Sequence, residues 1–223
     1  MTETAEWFSW AEYGAAVHAF VGDPGRWTPQ EVSGLLDVYG ALAAPISLYA
    51  MAHTPGFPLE LVRPRVMHAF ASSLRPEIVM KRQAWISLFR RIGYTFNGQP
   101  ALAPMQPVTL WRGCHPDYLD NLTWTPHRDV AVVFADRPGR NLYRAEVGPR
   151  RVLATLDVGQ QDHPPQCAVA IAGVRPELEP LTAADRETAA QHRADADREW
   201  ARMAKKDRDD VRAAQSFFRK WER

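Results

Sequence analysis

The feature that most constrains this chain is a change of hydrophobic period partway along it. Apolar residues recur at helical spacing through the first hundred residues. They then give way to short runs of β-branched and aromatic residues separated by Gly and Pro. This order predicts an α+β protein, in which a small sheet lies between helical segments.

Capping patterns and prolines divide the first hundred residues into four predicted helices. A hydroxyl at the N-cap, with an acidic residue three positions later, ties backbone N–H groups that a helix start leaves unpaired, and proline fits the first helical position. By these signals the helices start at Ser9, at Thr28, near Pro58 or Pro64, and at Pro76. Turn sequences predict that the first helix ends at Gly22-Asp23-Pro24-Gly25 and the fourth at Gly93.

The middle of the chain combines strands with one inserted helix. The predicted strands are Val108–Arg112, Leu142–Val147, Val152–Leu156 and Cys167–Ile171. Between the first two, Thr125 as N-cap, Pro126 at the first helical position and Asp129 in the first turn predict a short helix.

The end of the chain is far more charged than the rest, since 20 of the 43 residues in 181–223 are charged. Thr182 and Asp185 predict a helix start there. An apolar stripe then follows at helical spacing, formed by Trp200, Met203, Ala204, Val211, Ala214, Phe218 and Trp221. We interpret the segment as a helix that docks this stripe on the protein, with self-association or partner binding as the alternative. The predicted organisation is a helical region 1–100, a core 101–180 and a C-terminal helix 181–223.

Composition excludes several classes of protein. With 46% hydrophobic and 24% charged residues, the chain is typical of globular proteins. Its 27 basic and 26 acidic residues give a net charge of +1, which disfavours a protein that coats nucleic acid, although a nucleic-acid partner stays possible. We see no signal peptide and no apolar stretch long enough for a bilayer, and two cysteines suit a reducing compartment. The expected location is the cytoplasm, with no membrane contact.

Several familiar catalytic and metal-binding patterns are missing. The sequence contains no P-loop, no G-x-G-x-x-G, no H-E-x-x-H and no G-x-S-x-G motif. Cys114 with His115, and His163 with Cys167, are residue types that bind zinc. Adjacent residues of an extended segment point in opposite directions, however, so we expect two reduced thiols and no metal site.

Two short segments of the core carry candidate binding residues. Arg112 follows apolar strand residues and precedes Gly113, and its guanidinium suits phosphate or carboxylate. A glycine beside it allows a ligand to approach the backbone, whereas the plain alternative is an ion pair of Arg112 with Asp117 or Asp157. Thr123-Trp124-Thr125 places two hydroxyls on one face, where they orient a ribose or brace a neighbouring strand.

The order of these segments resembles ADP-ribosyltransferases of the Arg–Ser–Glu class, as found in phages and bacteria. The matching pieces are Leu110-Trp-Arg-Gly113, Leu122-Thr-Trp-Thr125, Asp129-Val-Ala-Val-Val-Phe134-Ala135, Leu142-Tyr-Arg-Ala-Glu-Val147 and Arg151-Val-Leu-Ala154. The resemblance is confined to the core and leaves the helical segments 1–100 and 181–223 unexplained. It implies a small split sheet that binds NAD in a cleft and breaks its nicotinamide–ribose bond.

Roles follow from the resemblance, residue by residue. Arg112 is expected to hold the phosphate or ribose region of NAD, the Gly113 backbone to face the nicotinamide amide, and Thr123 to take the place of the family's serine. Phe134 or Tyr143 is expected to cover the nicotinamide ring. The residues matched to the NAD site are Arg112, Gly113, Thr123, Thr125, Phe134 and Tyr143.

The sequence departs from the family at its catalytic glutamate. That acid begins the late strand and steadies the positive charge that develops on the ribose, as in glycoside hydrolysis. Here the position holds Gln166, and loss of one such group typically costs about 100-fold or more in rate. Asp162, on the preceding loop, is a candidate replacement.

Two functions are therefore expected from the sequence. The first is transfer of ADP-ribose from NAD to a macromolecule, preferably a protein. The second is a catalytically inactive relative that binds another protein as an accessory factor. Labelling that depends on added DNA or RNA would indicate a nucleic-acid acceptor instead.

Overall fold

The computed structural model describes residues 10–72, 76–157, 167–171, 173–195 and 198. Within them the chain forms seven α-helices and eight strands. The helices are α1 (Trp10–Val21), α2 (Pro29–His53), α3 (Leu59–Ser72), α4 (Pro76–Val79), α5 (Arg82–Ile92), α6 (Arg128–Ala135) and α7 (residues 183–195). The strands are β1 (Thr95–Phe96), β2 (Gln99–Pro100), β3 (Val108–Cys114), β4 (Thr123–Trp124), β5 (Asn141–Val147), β6 (Val152–Asp157), β7 (Cys167–Ile171) and β8 (Glu177–Glu179). The prediction of a mixed helix and strand protein is confirmed.

The start and end signals of the N-terminal helices are largely confirmed. The Thr28 hydroxyl accepts a hydrogen bond from the Glu31 N–H at 3.3 Å, so Thr28 is the N-cap of α2. Helix α1 ends at Val21, and α3 begins just after Pro58 with Pro64 inside it. Ser9 lies outside the described residues.

The predicted fourth helix is two helices, α4 and α5, and this is a correction. The indole N–H of Trp85 on α5 donates to the Pro76 carbonyl at 2.9 Å, which folds α4 back against α5. Trp85, Phe89 and Ile92 are buried as the helical spacing predicted.

The strands form two small sheets. One has the order β2-β1-β6-β7-β4, with β1 parallel to β6, and the other has the order β3-β5-β8 and is antiparallel. Strands β1 and β2 form a hairpin through Asn97 and Gly98, both at positive φ, and the hairpin pairs with β6. The helical region predicted for 1–100 therefore also supplies two strands.

Helices and sheets stack in four layers. Leu153 and Ala154 of the five-stranded sheet share a buried cluster with Phe70, Trp85 and Phe89 of the helices. The facing interior between the two sheets is a second cluster, made of Leu110, Trp124, Tyr143, Ala145, Val147, Val152 and Cys114. Helices α6 and α7 cover the outer face of the three-stranded sheet, where Ala131 and Ala189 meet Leu142.

Helix α6 starts later than the sequence predicted, at Arg128 with His127 as N-cap. Thr125 is not the N-cap because its backbone N–H and C=O are paired with Trp111 of β3, at 2.9 and 2.7 Å. Its hydroxyl still accepts from the His127 N–H at 3.1 Å, which braces the turn into the helix.

Helix α7 begins where Thr182 and Asp185 predicted a helix start, and these two residues form a capping box. The Thr182 hydroxyl accepts from the Asp185 N–H at 3.2 Å, and the Asp185 carboxylate accepts from the Thr182 N–H at 2.8 Å. The apolar stripe from Trp200 to Trp221 lies outside the described residues. No helix in the described part of the chain has the length and apolar character needed to cross a membrane.

Gly113 allows α6 to lie directly on β3. A Cβ atom at this position would be 2.1 Å from the Ala131 carbonyl oxygen and 2.4 Å from the Ala135 nitrogen. Both are backbone atoms of α6, so a side chain here forces the whole helix away from the sheet.

Gly113→Ala is therefore expected to lower the free energy of unfolding by about 3 kcal/mol, the upper end of the usual cost of overpacking. Urea unfolding followed by circular dichroism measures it. Gly34→Ala is the matched control, because Gly34 lies within α2 with open space around it, and alanine there should stabilise by about 0.5–1 kcal/mol. Equal stability of Gly113→Ala and the wild type would contradict the packing described here.

Candidate functional site

Arg112 projects from β3 into the interior between the two sheets. Side chains alternate along a strand, and Leu110 and Cys114, two residues away on either side, are both buried in that interior. Arg112 is directly opposite Tyr143 in the β3–β5 register, so the two side chains share this face. Arg112 therefore lies on the same inward face as Leu110 and Tyr143.

The guanidinium bonds to the backbone of the neighbouring sheet. Its Nη1 donates to the carbonyl oxygen of Thr123 and, at 3.5 Å, to that of Asn121. Strand β4 is at the edge of the five-stranded sheet, where carbonyls on the outer side lack a strand partner. The acceptors of Arg112 are thus carbonyls rather than Asp117 or Asp157, which corrects the ion-pair alternative.

One donor of Arg112 is not used in this way. Its Nε is buried and has no hydrogen-bond acceptor among the described residues. A buried N–H of a charged group without an acceptor is unfavourable, so an anionic oxygen at this point would be stabilising. The observation fits a ligand with phosphate or carboxylate oxygens, although Nη1 is already committed to the chain itself.

The two threonines have different surroundings. Thr123 is half-buried, and it meets Arg112 through its carbonyl and not through its hydroxyl. Thr125 is buried and forms the bridge to Trp111 that joins β4 to β3. The backbone of Thr125 therefore joins the two strands, whereas its hydroxyl accepts from the His127 N–H and neither orients a ligand nor braces a strand.

The two candidate aromatic residues lie on opposite faces of the three-stranded sheet. Tyr143 is buried next to Arg112, and its hydroxyl accepts from Asn141 Nδ2 at 3.2 Å. Phe134 belongs to α6 on the outer face, where it is 46% exposed and lies 5.9 Å from the guanidinium carbon of Arg137. Only Tyr143 shares a side with Arg112.

The space beside Gly113, which the sequence analysis expected to be open to a ligand, is filled by the backbone of α6.

The predicted acid and its neighbour, Asp162 and Gln166, lie outside the described residues. Strand β7 begins directly after them and pairs with β4, with Ala170 opposite Thr123. The strand that the resemblance assigns to the catalytic acid is therefore adjacent to the strand that carries Thr123.

The zinc-type residues that the structure describes point apart. Cys114 is buried between the sheets, whereas the Nδ1 of the half-buried His115 accepts from the Asp117 N–H at 3.3 Å. Within the described ranges, no group of three or more His, Cys, Asp or Glu side chains is arranged to hold a metal ion.

A surface groove on the outer face of the three-stranded sheet was missed by sequence reasoning. It has a volume of about 410 Å³ and is lined by Trp111, Arg144, Glu177, Leu178, Glu179 and Pro180. Trp111, Arg144 and Glu177 lie side by side across β3, β5 and β8. The groove is on the opposite face from Arg112, and it depends on β8, which the sequence did not predict.

A network of charged groups connects this groove to α7. Glu179 accepts from the Trp111 indole at 3.0 Å and from Arg128 Nε at 2.5 Å. Arg128 also makes two hydrogen bonds to Asp185, at 2.5 and 3.0 Å. These bonds from Arg128 hold the pKa of the Asp185 carboxyl well below its ordinary value, with further help from Thr182, and they outweigh the opposing effect of burial. In turn, Asp185 and Glu179 raise the pKa of Arg128.

Asp185→Asn should lower the free energy of unfolding at neutral pH by about 1–3 kcal/mol, since it weakens a charged hydrogen-bond pair. Because the pKa of Asp185 is lower in the folded state, the unfolded chain binds more protons in acid. The stabilisation by the Asp185 carboxylate is therefore present above the unfolded-state pKa of about 3.9 and is lost as the pH falls below it. Urea unfolding between pH 7 and pH 3 measures this, and the free energy of unfolding of the variant should fall less in acid than that of the wild type. Glu187→Gln, at an exposed position of the same helix, should change stability by no more than about 0.5 kcal/mol. Equal acid sensitivity of Asp185→Asn and the wild type would contradict the assignment.

Comparison with known proteins leaves the residues themselves as the basis for a function. No protein-family model, characterised protein or solved structure matches the chain.

Proposed function

We propose that the core binds NAD at the junction of the two sheets and transfers its ADP-ribose to a macromolecule, preferably a protein, as an ADP-ribosyltransferase-like enzyme. The observation that carries the proposal is the meeting of Arg112 and Thr123 at that junction. They come from separate strands, β3 and β4, and the buried Tyr143 lies opposite Arg112.

The surroundings of Arg112 support an anionic ligand. Its buried Nε has no acceptor among the described residues, and a guanidinium suits pyrophosphate oxygens. Tyr143 offers an aromatic ring on the same face, and Thr123 lies on the adjoining strand edge.

Chemistry at this site would depend on residues in the segment before β7. In the proposed transfer the bond between ribose and nicotinamide breaks, the bonding electrons leave with nicotinamide, and a nucleophile of the acceptor bonds to the ribose carbon. A carboxylate near that carbon stabilises the positive charge that develops. Gln166 can donate or accept a hydrogen bond but carries no charge, so Asp162 is the proposed source of the carboxylate.

A second function is favoured by one specific contact. Because Nη1 of Arg112 bonds the chain's own carbonyls, part of the guanidinium is used to join the sheets rather than to bind a ligand. Together with Gln166 in place of an acid, this favours a catalytically inactive relative that binds another protein.

Incubating the full chain with clickable NAD and cell lysate separates the two functions. We expect labelled protein, at least tenfold less labelling with Asp162→Ala, and more labelling with Gln166→Glu, because the second variant restores the charge. Gln106→Glu adds the same charge at an exposed position before β3 and should have no effect. Nuclease treatment should leave the label in place if the acceptor is protein. Absence of labelling in every variant, with no heat of NAD binding by calorimetry, would overturn the proposal and favour the protein-binding alternative.

A further inference from the structure

Helices α2 and α5 bring a histidine and a serine into hydrogen-bond contact, away from the sheet junction. His53 is the last residue of α2, and its Nε2 lies 3.0 Å from the hydroxyl oxygen of Ser87 on α5. Its other ring nitrogen, Nδ1, lies 2.8 Å from the carbonyl oxygen of Tyr49. The imidazole is exposed and Ser87 is half-buried, so a small molecule can reach the pair.

The Tyr49 carbonyl determines which nitrogen of His53 carries the proton. A carbonyl oxygen only accepts hydrogen bonds, so Nδ1 must be the protonated nitrogen of the neutral ring. Nε2 then has a free lone pair, and Ser87 must donate its hydroxyl proton to it. A serine, a histidine base and an acceptor that orients the histidine are the three parts of an activated nucleophile.

Neighbouring groups hold the imidazole in this orientation. The ring of Tyr49 stacks on the ring of His53, with centroids 4.0 Å apart and an angle of 26° between the planes. Arg91, one helical turn after Ser87, donates from Nε to the carbonyl of Ala52 at 3.0 Å. The Arg91 guanidinium is thereby anchored to the end of α2, the helix that carries His53.

We propose that Ser87 and His53 form a second catalytic site, which acts on small carboxylic esters. The Ser87 oxygen attacks the acyl carbon while its proton moves to His53 Nε2. The bond to the leaving alcohol then breaks, and the alcohol takes that proton. Water, deprotonated by the same nitrogen, hydrolyses the acyl-serine, releases the acid and restores Ser87. This site is independent of the proposed NAD chemistry.

A fluorophosphonate probe tests the nucleophile directly, because Ser87 attack on phosphorus expels fluoride and leaves a stable adduct. We expect mass spectrometry of the full chain to locate the adduct on Ser87, and the chain to hydrolyse p-nitrophenyl acetate. Ser87→Ala should abolish the adduct. His53→Gln retains a hydrogen-bonding side chain without a base and should slow labelling by about 100-fold or more.

Ser33→Ala is the matched control, because the Ser33 hydroxyl is half-buried and bonds to Arg65 without a histidine. It should label at the wild-type rate, and circular dichroism should show that every variant is folded. A lack of adduct on Ser87, or labelling of Ser87 at the same rate in folded His53→Gln, would overturn the proposal and leave the pair as a bond between helices. NAD labelling is measured on the same samples, so failure of one proposal is distinguishable from failure of the other.

Discussion

The two sheets are joined where β3 runs beside the free edge of β4, and the layered structure depends on this junction. Trp111 and Thr125 exchange backbone hydrogen bonds there, and Arg112 reaches from β3 to the carbonyls of Thr123 and Asn121. An edge strand with unpaired backbone groups invites association with other chains, and the junction satisfies those groups within the protein. The Arg112 side chain thus supplies hydrogen bonds that a neighbouring strand would otherwise donate.

This arrangement places structure and proposed chemistry on the same side chain. Nη1 of Arg112 joins the sheets, while the buried Nε is the donor without an acceptor among the described residues. The Ser87–His53 pair has no part in joining the sheets, because it lies between helices on the other side of the five-stranded sheet. The two proposals therefore rest on different layers of the fold.

Sequence reasoning succeeded where the signal is local and failed where it depends on contacts between distant segments. The N-cap at Thr28 and the capping box at Thr182 were predictable because they involve residues three apart. Strand β8 was not, since Glu-Leu-Glu has little strand preference and forms a strand only by pairing with β5. The Asn97-Gly98 hairpin is an exception, because Asn-Gly is a local turn signal that lies within the predicted helical region.

For the candidate site, too, the local features were predictable from the sequence and the contacts between distant segments were not. Alternation along β3 puts Arg112 on the same face as Leu110, but its acceptors come from a strand that only folding brings near. The groove beside Trp111 needs β8, and Ser87 meets His53 from 34 residues away, so neither was visible in a single segment.

Replacing Arg112 by methionine tests the account of the junction most directly, with Arg144→Met as the control. Both arginines lie on the β3–β5 pair, but Arg144 is exposed on the outer face. Arg112→Met leaves the Thr123 carbonyl without its donor, so urea unfolding should show a loss of about 1–3 kcal/mol. Arg144→Met should lie within about 0.5 kcal/mol of the wild type. Equal stability of the two variants would contradict the claim that the Arg112 guanidinium holds the sheets together.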